Sequence, residues 1–257
     1  MTGKKTIQSS ARVAGKNGFS LITDDTFREL YAALLKCRML DERLRTSTSY
    51  EQWAGREAAS AGVVTCLRPG DSVALTPCGL LAGYLLKNAI AHGHNAAIAP
   101  AAQLAAATAD ASRHGLEGLG NISVMFAKAS EAGRLRDTFA STATQCLPVL
   151  YVLDGSAPFV KMYGTVPVIR VDSCDAVAVY RVAHESIARA RDGGGPTIIE
   201  CVAWDANGEP QDPLKKLEQY LAGKRLFKQN WKQDLQKKYE VLLNESMMRL
   251  KSEVIKK

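Results

Sequence analysis

The stretch that most constrains this chain is 121–158, NISVMFAKASEAGRLRDTFASTATQCLPVLYVLDGSAP. Residues 122–126 form a short apolar run, β-branched in part and too brief for a free-standing helix. Small and polar residues follow over 127–133, then a segment of helical pattern to Cys146. Pro148 opens a second apolar run, 149–153, which ends on Asp154-Gly155. Strand, loop, helix and strand in that order make one βαβ unit. In open parallel sheets ligands sit in the crevice beyond the carboxyl ends of such strands. Any chemistry is therefore expected at 127–129 and 154–156, although neither loop carries the residues such chemistry normally needs.

The rest of the chain extends this pattern. Thr23 reads as a helix N-cap, with Asp24 and Asp25 in the first turn where carboxylates favour the helix dipole. Phe27, Leu30, Tyr31, Leu34 and Leu35 give an apolar stripe, and the spacing predicts a helix to about Arg45. Its flank of Arg28, Glu29, Lys36, Asp41, Glu42 and Arg43 is expected to be a solvated face. A small-residue helix is predicted from 55 to 67, then a turn at 68–71 and a strand at 72–76. Helices are predicted over 79–92 and 96–113. His92-Gly93-His94 lacks a nearby carboxylate or cysteine and reads as a helix C-terminus, not a metal site. The glycines at 115, 118 and 120 precede a strand and have the wrong order for a dinucleotide loop. Strands at 166–171 and 197–203 flank a helix that begins at Asp175 and ends before Gly193-Gly194-Gly195-Pro196. Further helices are predicted at 214–221 and 231–254. In the last of these Trp231, Leu235, Tyr239, Leu242, Leu243 and Met247 form a stripe that reads as core or subunit contact. The expected fold is α/β: three layers, a mainly parallel sheet with helices on both faces, and a helical C-terminal extension.

Composition narrows the function classes. At 257 residues, with 46% apolar and 23% charged residues, the chain is long enough to bury a full core. No run approaches the roughly 18 apolar residues of a membrane span, and residues 1–20 read as a flexible basic arm with no secretory signal. The six cysteines form no C-x-x-C pair, and with four histidines no zinc spacing occurs. Buried reduced thiols, no metal site and a cytoplasmic location are expected. The net charge of +7 is unevenly placed: 213–257 holds 12 Lys/Arg and 5 Asp/Glu, so the remainder is neutral. The body of the chain is thus no nucleic-acid binder. The tail is either a solvated helical face or an arm for an acidic partner such as a carrier domain or RNA.

Four segments stand in a particular order: FRELYAALLKCRMLDERL, GREAASAGVVTCLRPGDSVA, VPVIRVDSCDAVAVYRVAHESIARARDGGGPTIIECVAW and DPLKKLEQYL. Together they resemble the alpha subunit of the thiamine-diphosphate-dependent 2-oxo acid dehydrogenases, the decarboxylating component of the pyruvate and branched-chain complexes. The resemblance covers most of 27–221, with Arg56 where the family has glutamine. It implies that 21–212 is a thiamine-diphosphate-binding-like domain, followed by the basic helical extension 213–257. It also implies a cofactor motif, G-D-G followed by N-N. The motif aspartate and second asparagine hold Mg²⁺, a hard cation that takes oxygen ligands, and the glycines let backbone approach the diphosphate.

On this sequence the cofactor-binding positions fall at Ala127, Lys128, Ala129, Gly155 and Ser156. Lys128 stands where the metal-binding carboxylate belongs, a charge reversal against a divalent ion. The family's histidine loops correspond to TPCGLLAGYLL and to residues 205–210, neither of which contains histidine. Those histidines serve the acylated intermediate, and proton transfer needs a titrating group in reach, so no catalytic residue is assigned. The expected role is a structural or pairing subunit with weak or no thiamine-diphosphate chemistry of its own. It would assemble as a homo- or hetero-oligomer with a beta-type or alpha-like chain, away from membranes and nucleic acid. The alternative is oxidative decarboxylation of a 2-oxo acid together with a beta-type subunit, Lys128 holding the diphosphate directly as phosphate-binding lysines do.

Overall fold

The computed structural model describes residues 22–44, 56–74, 120–155, 162–203 and 211–255. In chain order the elements are α1 (Asp24–Leu44), α2 (Arg56–Val64), β1 (Ser72–Ala74), β2 (Ser123–Lys128), a 3-10 turn (Ala129–Glu131), α3 (Arg136–Thr144), β3 (Val149–Asp154), β4 (Met162–Tyr163), β5 (Val166–Asp172), α4 (Ala176–Arg191), β6 (Thr197–Val202), α5 (Pro213–Gly223) and α6 (Gln229–Ile255). The strands form a single sheet in the order β1-β2-β3-β6-β5-β4. Neighbours from β1 to β5 run parallel, and only the two-residue β4 is antiparallel, on β5. The α/β class and the mainly parallel sheet are as predicted. The central βαβ unit is present as β2, α3 and β3.

Strand alternation divides the core. On one face Val124, Phe126, Leu150, Val152 and Ile199 pack against Ala59 and Val63 of α2 and Val179, Ala183 and Ile187 of α4. On the other, Met125, Tyr151, Leu153 and Ile198 pack against Leu135 and Phe139. Strands β2, β3 and β6 are buried on both faces, which is why they read as unbroken apolar runs. A third cluster lies outside α2 and α4. There Phe27, Leu30, Tyr31 and Leu34 of α1 meet Leu214, Leu217 and Leu221 of α5 and Tyr239 of α6. Tyr31 and Trp231 stack with ring centroids 5.0 Å apart.

Side chains close the helix starts. Asp175 accepts from the amides of Val177 and Ala178 (3.1 and 2.9 Å), and Asp212 from those of Leu214 and Lys215 (2.9 and 3.2 Å). Thr23 Oγ1 accepts from Thr26 N–H at 3.1 Å, in agreement with its predicted capping role. At the amino end of the sheet the buried Asp71 accepts from the amides of Arg68 and Ile122 (2.8 and 3.0 Å) and pairs with Arg191, the last residue of α4.

Several expectations change. The α1 flank is not uniformly solvated: Asp41 is buried, Arg43 pairs with Glu240 and hydrogen-bonds Asn244, and Lys36 lies 5.9 Å over the Tyr239 ring. Helix α6 covers the side that bears Lys36 and Arg43, whereas Asp41 lies on the opposite side of α1, in line with Leu34, Cys37 and Arg38. Strand β2 runs through Lys128, so 127–128 belong to the ladder with Leu153 and Asp154 and the loop begins at Ala129. Cys146 is exposed, in a left-handed turn (φ 50°), unlike the buried Cys37, Cys174 and Cys201. The arm 1–20, the helices at 79–92 and 96–113, Cys78, the 92–94 histidines, Ser156 and residues 204–210 lie outside the described residues. No helix among the described residues is long and apolar enough to cross a membrane.

The α2–α4 crossing depends on Gly62. A Cβ there would stand 2.7 Å from Val179 Cγ1 and 3.0 Å from Tyr180 N, a backbone atom that cannot yield. Gly62→Ala is expected to destabilise the protein by about 1–3 kcal/mol, read as a lower urea midpoint.

Candidate functional site

The carboxyl ends of the central strands meet in one row. Lys128, the last residue of β2, is in register with Asp154 at the end of β3, and Asp154 with Cys201 of β6. By alternation these share the face of Phe126, Val152 and Ile199. Asp154 is only 6% exposed, and Lys128 is half-buried. Burial pushes the Cys201 thiol far up, and the charges of Asp154 and Glu200 add to this. That thiol stays protonated near neutrality and is no nucleophile. Glu200, on the opposite face, is itself paired with Arg170 Nε at 2.7 Å. Gly155 takes a left-handed φ of 100° and donates its N–H to Cys201 O at 3.1 Å, which ties the start of its loop to β6.

Of the sequence-assigned positions, the structure therefore brings Lys128 and the 154–155 pair to adjacent strand ends. Ala127 and Ala129 lie elsewhere: each is 3% exposed, packed in the apolar cluster of Met125, Leu135, Tyr151 and Leu153. Their methyl groups are part of that core packing. The Lys128 N–H donates to Glu131 Oε2 at 3.0 Å. Among the described residues no group of three or more His, Cys, Asp or Glu could hold a metal ion.

A second cluster, which sequence reasoning did not single out, joins the helix starts beside this row. Arg38 of α1 donates from Nε to Glu57 Oε1 at 3.0 Å, and from its two terminal nitrogens to Asp212 at 2.9 and 3.3 Å. One turn into α5, Lys216 Nζ lies 2.9 Å from Asp172 at the end of β5 and 3.2 Å from Asp175, the cap of α4. Burial works against the charge on Arg38, but the hydrogen bond to Asp212 and the Glu57 carboxylate overcome it and hold its pKa above the usual value. Burial likewise opposes ionised Asp212, yet the Arg38 hydrogen bond and the amides of Lys215 and Leu214 hold its carboxyl below the usual range. Burial lowers the Lys216 pKa and the Asp172 and Asp175 carboxylates raise it, with a net upward shift. The available signal was the presence of Arg38, Glu57 and Asp212 in three separate segments of the family resemblance, with no spacing to show that they meet.

A mainly parallel sheet with loops gathered at its carboxyl edge defines a class of ligand-binding α/β domains. Comparison with known proteins narrows the class. Residues 161–209, from β4 to just beyond β6, match the family described as the dehydrogenase E1 component. The alpha subunit of acetoin:2,6-dichlorophenolindophenol oxidoreductase from Cupriavidus necator is 24% identical over 249 aligned residues, 75% of this chain and 74% of that protein. The pyruvate dehydrogenase E1 component subunit alpha of Staphylococcus epidermidis is 33% identical over 109 residues, 35% of this chain and 26% of that protein. The alpha-3 chloroplastic subunit of Arabidopsis thaliana is 29% identical over 99 residues, 32% of this chain and 23% of that protein. The chain thus spans about a quarter of the length of these last two relatives. It is a relative of the E1 alpha subunits, as the resemblance in its sequence implied. The matched segment 161–209 does not include Lys128.

The residues at the strand ends do not fit a diphosphate held through Mg²⁺. Lys128 brings a cation, and Ala127 and Ala129 bring buried methyl groups, none of which is an oxygen ligand for a hard divalent ion.

Arg38→Met leaves Glu57 buried without its cation and is expected to cost about 3 kcal/mol, measured by urea unfolding at neutral pH. Asp212, with its folded pKa depressed, contributes stability above its unfolded value of about 4, and that contribution is lost as pH falls through the folded value. Wild type should therefore exceed Asp212→Asn in stability at pH 7, and the gap should narrow below about pH 4.

Proposed function

We infer that this chain is an alpha-like subunit that pairs with a beta-type or another alpha-like chain and holds it in register, with weak or no thiamine-diphosphate chemistry of its own. The observation that carries this reading is Lys128 at the carboxyl end of β2, in register with buried Asp154. A divalent cation and an ammonium group compete for the same carboxylate-rich surroundings, and the ammonium is covalently present. The scaffold, by contrast, is retained. The segments that carry the resemblance are joined by Arg38, Glu57 and Asp212.

The competing reading is oxidative decarboxylation of a 2-oxo acid with a beta-type subunit. It is favoured by the likeness to the acetoin oxidoreductase alpha subunit, which extends over 74% of that protein and is not confined to one segment. In this reading the metal and proton-transfer groups come from the partner chain.

The pairing role is tested by size-exclusion chromatography with light scattering, on the chain alone and co-expressed with a beta-type subunit. An oligomer, or a stoichiometric complex, is expected. A stable monomer that retains no partner would count against the role.

A further inference from the structure

We propose that the loop after β2 is closed against diphosphates by this chain's own Glu131 and not merely deprived of a metal ligand. The proposal deepens the pairing reading above and rests on its assignment of residues 127–129 to the cofactor loop.

Lys128 is the last residue of the strand, with extended backbone (φ −74°, ψ 140°), and its N–H opens the turn that follows. Glu131, three residues on, reaches back and accepts that hydrogen at 3.0 Å. This is the returning half of a capping box. An N–H carries one hydrogen, so a phosphate would have to displace the carboxylate. It would also face a like charge at contact distance for as long as Glu131 stayed nearby.

The surroundings reinforce this. Asp154 lies buried at the adjoining strand end, so Lys128 has a carboxylate both on its own loop and across the ladder. Its single positive charge is outnumbered locally. Direct capture of a diphosphate by Lys128, without metal, is therefore disfavoured for the same reason as capture through Mg²⁺.

Glu131 and the buried Asp154 both remain when Lys128 is replaced, so changing Lys128 alone should not reopen the loop. The test uses the full chain with thiamine diphosphate and with inorganic pyrophosphate, each with and without Mg²⁺, followed by titration calorimetry and thermal shift. Wild type is expected to show no heat and no shift at millimolar ligand. Lys128→Asp should remain silent, and so should Lys128→Ser, which removes the cation without adding charge and covers a poorly folded Lys128→Asp. Glu131→Ala should lower the melting temperature by about 2–4 °C, because the Lys128 amide loses its acceptor.

Binding by wild type would overturn the proposal, as would binding restored by either Lys128 substitution alone. A melting temperature unchanged in Glu131→Ala would equally refute the role given to that carboxylate. Assembly is measured separately, so a chain that pairs but binds diphosphate would refute this inference and leave the pairing role standing.

Discussion

The bridging of two carboxylates by the Arg38 guanidinium organises the carboxyl edge of this protein. One planar cation on α1 holds Glu57 in the first turn of α2 and Asp212 at the cap of α5, elements far apart in the chain. A guanidinium suits this position because its donors diverge in a plane and its charge persists at every accessible pH. Such a pair contributes little over an apolar packing of the same volume, yet removing one member leaves a buried charge exposed to no solvent. Its consequence is geometric. Helices α1, α2 and α5 are held in one arrangement, and α6 then lies along α1 through Tyr31, Trp231 and Tyr239.

The same edge shows how the polar groups of helix and strand ends can be satisfied from within. Helix starts are natural anion sites, since their first amides lack partners and the dipole favours negative charge. Here α4 and α5 give those amides to Asp175 and Asp212, and α2 carries Glu57 in its first turn. The strand end at Lys128 gives its amide to Glu131. The cations that balance these carboxylates, Arg38 and Lys216, are also supplied by the chain. Polar groups that could meet a charged ligand are thus engaged with one another. Fold and site can separate, so likeness to the E1 alpha subunits does not by itself carry their chemistry to this chain.

Much of the fold was legible in the residues. Alternating strands and helices indicated a mainly parallel sheet covered on both faces, and the helix starts expected at Asp175 and Leu214 fall within one residue of those in the structure. The identity of residue 128 as lysine was equally plain. Two features could not be read in this way. The flank bearing Lys36 and Arg43 looked solvent-facing because a helix this polar is normally exposed, and the packing of α6 covers it. The spatial order of strands was also hidden: β6 lies between β3 and β5, although β5 precedes it in the chain.

Local pattern by itself determined the alternation of strands and helices and the Thr23 cap, because each depends on neighbours within a few residues. Tertiary structure alone decided that Arg38, Glu57 and Asp212 meet, that Lys128 stands beside Asp154, and that Ala127 and Ala129 face the core. Those facts depend on strand register and helix docking, which bring together groups separated by 19 to 174 positions in the chain. No periodicity within a single segment encodes such a distance.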